Sequence, residues 1–287
     1  MPASAGILLC GLEVRYNPNT PRESTMPRVL AKKDNLNELN KNFEQARLEQ
    51  PVFLNSVPKC GTHLLRNIVR MFVPVEQQYH QAFIQIPLLH KHLAAFSPSR
   101  PWLSWGHLLF SDDSAIALKG VNHTVLVRDP YDWVLARARF FLSDTFQGSM
   151  DHLKGGRVDI EDVLNLMIFG IYDKSPPMHD IFLHNAVTWM GTRARLLKME
   201  ELVWAVKNLD SDDAEQYFRT TLGYCGIKTL PHDWRKRVLI GSDRKQSTTA
   251  RENLAGQAND VPDELPDAQK ALVDFALPGL RKLLGYC

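Results

Sequence analysis

One stretch constrains this chain more than any other. Pro51-Val-Phe-Leu-Asn-Ser-Val57 is a short apolar run of strand type, ended by Pro58, and Lys59-Cys60-Gly61-Thr62-His63 follows at once. From Thr62 to Phe72 the pattern turns helical, with Leu65, Ile68, Val69 and Phe72 on one side. A strand, a tight loop and a helix in that order form the front of a βαβ unit. The loop is also suited to an anion. The helix N-terminus offers unpaired N–H groups and partial positive charge, Gly61 lets the backbone approach closely, Thr62 adds a hydroxyl and Lys59 a mobile full charge.

The rest of the chain reads as one α/β domain. Residues 1 to about 30 carry Pro2, Pro18, Pro21 and Pro27 and read as a loosely ordered tail. Residues 33–49 are expected to be helical, with Leu36, Leu39, Phe43 and Leu48 on one face. Residues 104–109 and 115–119 read as short extended segments, and 121–127 as a buried strand. Arg128-Asp129-Pro130 ends that strand, and Pro130 opens a helix running to about Ser143. Helices are expected over 159–170, 179–191, 200–208 and 212–223, with one strand at 194–198. A last helix, 267–284, would kink at Pro278. The fold class is therefore α/β: a single domain with a mainly parallel central sheet flanked by helices.

Composition narrows the partners. The net charge of the 287 residues is only +2, which argues against nucleic acid or a membrane surface as partner. An anionic ligand must be held by a local cluster. Cys10, Cys60, Cys225 and Cys287 lie far apart with no C-x-x-C pair, which fits neither a zinc site nor a disulfide framework. With no basic residue before the short apolar run 7–12, the expected localisation is cytoplasmic. No metal is expected, since H-x-x-H, H-E-x-x-H and paired cysteines are all missing from the sequence. Oligomeric state is not readable.

Two other phosphate loops compete for the hexapeptide. The nucleoside-triphosphatase string G-x-x-x-x-G-K-[ST] does not occur. Cys60 and Arg66 do have the C-x5-R spacing of a cysteine phosphatase, although Leu64 and Leu65 look like the start of an amphipathic helix.

With these residues in view, the chain resembles the sulfotransferases that use 3′-phosphoadenosine 5′-phosphosulfate (PAPS), over about residues 51–254. Pro58-Lys59-Cys60-Gly61-Thr62-His63 resembles the family's 5′-phosphosulfate loop, usually Pro-Lys-Ser-Gly-Thr-Thr. Val125-Leu-Val-Arg128-Asp-Pro-Tyr-Asp132 resembles its 3′-phosphate segment, and Gly106-His107-Leu108 precedes it where the family carries a catalytic histidine. Softer matches are His184 to Trp189, Leu197 to Leu202, and Arg244-Lys245. The resemblance implies a fold of the P-loop-containing nucleotide-binding (sulfotransferase) type, with an N-terminal tail and helix, 1–48, and a sulfotransferase domain, 49–287.

The resemblance implies sulfuryl transfer to a hydroxyl or amine of a small-molecule acceptor by in-line displacement, with adenosine 3′,5′-bisphosphate (PAP) as product. His107 would be the general base and Lys59 would stabilise the leaving oxygen. Cys60, Gly61, Thr62 and His63 would hold the 5′-phosphosulfate, and Arg128, Arg244 and Lys245 the 3′-phosphate. The sequence departs from the family at three cofactor positions: Ala136 replaces a serine, Leu64 an adenine-stacking tryptophan, and Met199 a tyrosine. Gln246 also replaces the glycine after Arg-Lys. The adenine pocket must be built differently here. Tyr79, Phe83, Trp102 and Trp105 lie between the loop and His107, the stretch that shapes the family's acceptor pocket. A cysteine phosphatase using Cys60 and Arg66, and a non-catalytic nucleotide-binding member of the fold, are the alternatives.

Overall fold

Every residue of the strand Val52–Ser56 is buried, as a parallel strand covered on both faces must be. In the computed structural model, which describes residues 28–30, 33–148, 150–247, 250, 254 and 256–286, this strand lies at the centre of the molecule. In chain order the strands are β1 (Arg28–Val29), β2 (Val52–Ser56), β3 (Leu103–Gly106), β4 (Asn122–Val127), β5 (Phe146–Gln147) and β6 (Arg195–Lys198). The main sheet has the order β3-β2-β4-β6 and is parallel throughout; β1 and β5 form a separate antiparallel pair.

The α-helices are α1 (Leu36–Asn40), α2 (Thr62–Arg70), α3 (Asp112–Ala117), α4 (Pro130–Leu142), α5 (Ile160–Phe169) and α6 (Met178–Asn185). They continue as α7 (Met199–Lys207), α8 (Asp212–Tyr224), α9 (Trp234–Ser242), α10 (Asp267–Ala276) and α11 (Leu280–Leu283). The core runs along the sheet: Phe53 and Trp133 are fully buried, and Phe53 meets Phe96 edge-on at 5.4 Å. Helix α9 packs against α2 at Gly241, where a Cβ would stand 2.6 Å from the Asn67 carbonyl oxygen and Ile68 Cα. Only glycine allows that approach.

The first connection from β2 goes to one neighbour, β3, and the next crosses to the other, β4. The chain therefore reverses direction at β2, and the segments after β2, β3 and β4 open at the same carboxyl end of the sheet. A crevice at such a switch point is where open α/β sheets bind ligands.

Several expected elements differ. The helix expected over 33–49 is only α1. Beyond it, side chains take the backbone bonds: Asn40 Nδ2 donates to the Arg70 and Val73 carbonyls, and Gln45 Nε2 to that of Met71. Residues 115–119, read as extended, belong mainly to α3, which Ser111 and Ser114 start by exchanging side-chain-to-backbone hydrogen bonds. The helix expected over 179–191 breaks after Asn185 into a 3-10 turn at Val187–Trp189. The last helix divides into α10 and α11 around Pro278, with Gly279 at φ +75°. Sequence patterns missed α9 and the 3-10 segment Ile86–Phe96. Most of the tail expected over residues 1–30 lies outside the described residues.

Candidate active site

The loop after β2 holds two residues at positive φ, Lys59 at +68° and Gly61 at +90°. The left-handed turn at Gly61 starts α2, and a Cβ there would run into the Met199 sulfur. The loop is pinned from α4 by Trp133 Nε1, which donates to the Pro58 carbonyl at 2.5 Å. The Arg128 backbone N–H points at the Cys60 sulfur, tying the end of β4 to the loop.

His107 is placed by the end of β3. Asn55 exchanges two 2.9 Å hydrogen bonds with the backbone of Leu108, whose carbonyl also accepts from Asn185 and Trp189. Gly106 lies so close to the Ile84 carbonyl that any Cβ would collide with it. The imidazole then reaches back to β2: Nδ1 is 2.8 Å from the Ser56 carbonyl oxygen and 3.2 Å from Ser56 Oγ. A carbonyl can only accept, so Nδ1 carries the proton and Nε2 of the neutral ring carries the lone pair. Ser56 Oγ also lies 2.5 Å from Thr62 Oγ1, linking His107 to the start of α2. Phe83 packs edge-on against the imidazole at 4.7 Å.

These groups face a cavity of about 480 Å³. Its wall includes Lys59, Gly61, Thr62, His63, Leu64, Phe83, His107, Arg128, Ala136, Met199 and Arg244, all residues singled out from the sequence. Asn67, Arg139, Phe140, Val203 and Lys207 also line it, and sequence reasoning had not selected them. Spacing could have found two of these: Val203 and Lys207 follow Met199 at steps of four, on one face of α7. Among the described residues, five that line it are lysine or arginine and only Asp243 is acidic, so this cavity is far more basic than the chain's net +2 implies.

Lys59 is the cation at the loop. It keeps some surface toward the cavity, yet protein atoms surround its ammonium, which lies 2.9 Å from the Phe140 ring centroid. Burial without a carboxylate pushes it down to about 7. Arg128 Nε is buried with no hydrogen-bond partner among the described residues, and no ion pair with Asp132 forms there. Asp129 instead pairs with Arg281 through two bonds of 3.1 and 2.9 Å. A buried donor left unmatched beside an unpaired lysine fits an anionic ligand. Burial, then the neighbouring Arg66 and Lys59, lowers His63 to about 4. Burial also lowers His107 to about 3, with Lys59 and His63 adding to it and the Ser56 carbonyl opposing. Both rings are neutral near pH 7.

The other sequence-selected residues lie elsewhere. Lys245 is exposed beside Arg244 and outside the cavity wall. Tyr79, Trp102 and Trp105 do not line the cavity: Tyr79 packs on Trp102 at 5.7 Å and its hydroxyl meets His92 Nδ1 at 2.8 Å. Trp105 is covered by the Arg66 guanidinium at 4.0 Å. The cysteine-phosphatase reading fails on its nucleophile. Cys60 is fully buried, and burial raises its thiol well above the ordinary range, the opposite of what a thiolate nucleophile requires. Residues 62–65, which that loop would wrap around phosphate, are already helical.

No protein-family model and no curated protein sequence matches the chain. Solved structures match in fold. Mouse sulfotransferase SULT7A1 complexed with PAP aligns over 88% of this chain and 83% of its own, at 14% identity and a TM-score of 0.48. Retinol dehydratase, in complex with androsterone and the inactive cofactor PAP, aligns over 79% of this chain and 80% of its own, at 14% identity and a TM-score of 0.50. At that identity the likeness is one of architecture: the parallel central sheet with its flanking helices is a fold shared with the retinol dehydratase structure.

Proposed function

We propose that this protein transfers the sulfuryl group of PAPS to a hydroxyl or amine of a small acceptor, with His107 as general base. The observation that carries the reading is the pairing, in one basic cavity, of a bare imidazole Nε2 with a buried lysine that has no anionic partner among the described residues. PAPS brings an activated sulfuryl group on a phosphate leaving group. What this chain must add is position, charge and a place for a proton.

His107 holds its Nδ1 proton on Ser56 and takes the acceptor's proton at Nε2. Dianionic phosphate nearby would raise the basicity of a ring that is weakly basic in the free protein. Lys59 and the α2 N-terminus neutralise the 5′-phosphate, an effect worth about 3 kcal/mol for a single well-placed donor. Thr62 and His63 hold the same group. Arg128, with its unmatched buried Nε, and Arg244 take the 3′-phosphate. Leu64, Met199 and Val203 supply an aliphatic wall for the base where aromatic residues would stack in the family. Phe83 borders the acceptor against His107. A small-molecule acceptor matches the androsterone present in the retinol dehydratase structure.

The test is turnover with sulfuryl-labelled PAPS and a panel of phenols, alcohols and amines, following labelled product and PAP together. Equimolar PAP and sulfated acceptor are expected from the wild type, and both about 10²- to 10⁴-fold more slowly from His107→Ala. Label transfer that survives His107→Ala in full would remove His107 as the base.

A further inference from the structure

Asn67 stands on α2 one turn beyond Leu64, and nothing above explains it. The residue is only 2% exposed, yet it lines the cavity, so the surface it keeps faces inward. Its Oδ1 accepts from Arg70 Nη1 at 3.4 Å, the long end of hydrogen bonding. Its Nδ2 has no partner among the described residues. An amide donor left without a protein partner at the wall of a cavity is available to a ligand acceptor.

Its surroundings indicate which part of a nucleotide reaches it. Of the five cations of the wall, Lys59, Arg128 and Arg244 are the ones assigned above to phosphates. One stretch of the wall is aliphatic, made by Leu64 on α2 and by Met199 and Val203 one turn apart on α7. A flat heterocycle belongs against such a wall, and α9 closes it where the Gly241 backbone touches that of Asn67. Asn67 is the one side-chain amide lining this cavity among the described residues.

We propose that Asn67 reads the base of the bound nucleotide, its Nδ2–H donating to N1 of adenine. This inference rests on the reading of the cavity as a PAP site. Adenine N1 is an acceptor, whereas N1 of hypoxanthine or guanine carries a hydrogen and would set donor against donor. The amide therefore selects adenine among purines, a task that the aliphatic wall cannot perform because it touches only the faces of the ring.

The test compares calorimetric binding of PAP and inosine 3′,5′-bisphosphate to the wild type, Asn67→Ala and Asn67→Asp. The wild type is expected to prefer PAP by about tenfold or more. Asn67→Ala is expected to bring the two ligands within about threefold of each other, and Asn67→Asp, whose carboxylate only accepts, to shift the preference toward the inosine ligand. Asn67→Asp keeps an oxygen for Arg70, so it carries the test if Asn67→Ala folds poorly. A wild type that binds both equally, or variants that keep the full preference, would overturn the assignment and leave Asn67 as a brace for Arg70. A wild type that binds neither would overturn the nucleotide reading itself, and this inference with it.

Discussion

If Lys59 holds the ligand's phosphate, nucleotide affinity must fall as pH rises through a range where ordinary lysines do not titrate. Burial sets Lys59 at about 7 in the free protein, against an ordinary value of 10.5. A neighbouring phosphate restores the charged form, so the bound value returns toward the ordinary one. The sign follows from linkage. Binding requires the proton, so affinity is full below the free-protein value and is lost as pH rises above it, until the bound value is reached. With about 7 free and about 10.5 bound, affinity at pH 8 is about elevenfold below its low-pH limit, and at pH 9 about a hundredfold below. Between pH 7 and pH 9 the dissociation constant for PAP should rise about fiftyfold, near 2.3 kcal/mol. The other titrating groups do not mask this window. His63 and His107, at about 4 and about 3, are neutral throughout it, and the ligand's phosphates are largely ionised above about pH 7.

The assay is calorimetric titration with PAP at pH 7, 8 and 9 at fixed ionic strength, in two buffers of different ionisation enthalpy. At pH 8 about 0.9 proton should be taken up on binding. Lys59→Arg, which stays charged across the range, should flatten the profile. A wild-type dissociation constant that changes less than threefold between pH 7 and pH 9 would refute the reasoning, because the ligand's anion would then not touch Lys59.

His107→Ala should cut turnover by about 10² to 10⁴-fold while PAP affinity stays within about twofold, measured by product formation and calorimetry on one preparation. Arg128→Ala should weaken PAP by roughly 10- to 150-fold but leave AMP, which lacks the 3′-phosphate, nearly unchanged. Gly61→Ala should lower stability by about 1–2 kcal/mol for the left-handed φ alone, with more lost to the collision with Met199, and should weaken PAP binding. Denaturant unfolding reads the first effect and titration the second.

The parts of this site that local chemistry dictates were legible in the sequence. Pro58 to Thr62 must leave a strand and start a helix, and a strand ending in Arg128-Asp129-Pro130 must hand a charge to the edge of the sheet. What made His107 legible was family resemblance. Its setting is held by Asn55, Asn185 and Ser56, from segments up to 130 residues apart, and no local pattern reveals that. The aromatic residues Tyr79, Trp102 and Trp105 carry the same composition whether they face a ligand or the protein, and only packing shows that Tyr79 and Trp102 face each other and Trp105 faces His80 and Arg66. Asn67 and Arg139 were hidden for a related reason: a polar residue on a helix reads as solvated until tertiary contacts bury it. The first helix ended early because Asn40 and Gln45 bond to the backbone after α2, a long-range competition that periodicity does not register.

The most direct test of the central claim is thermal unfolding with PAP, against AMP and ATP as controls. At a hundred times its dissociation constant a ligand stabilises the fold by about 2.7 kcal/mol. The account predicts a shift of that size with PAP and a clearly smaller one with AMP or ATP at the same concentration. No shift with PAP, or an equal shift with AMP, would contradict it.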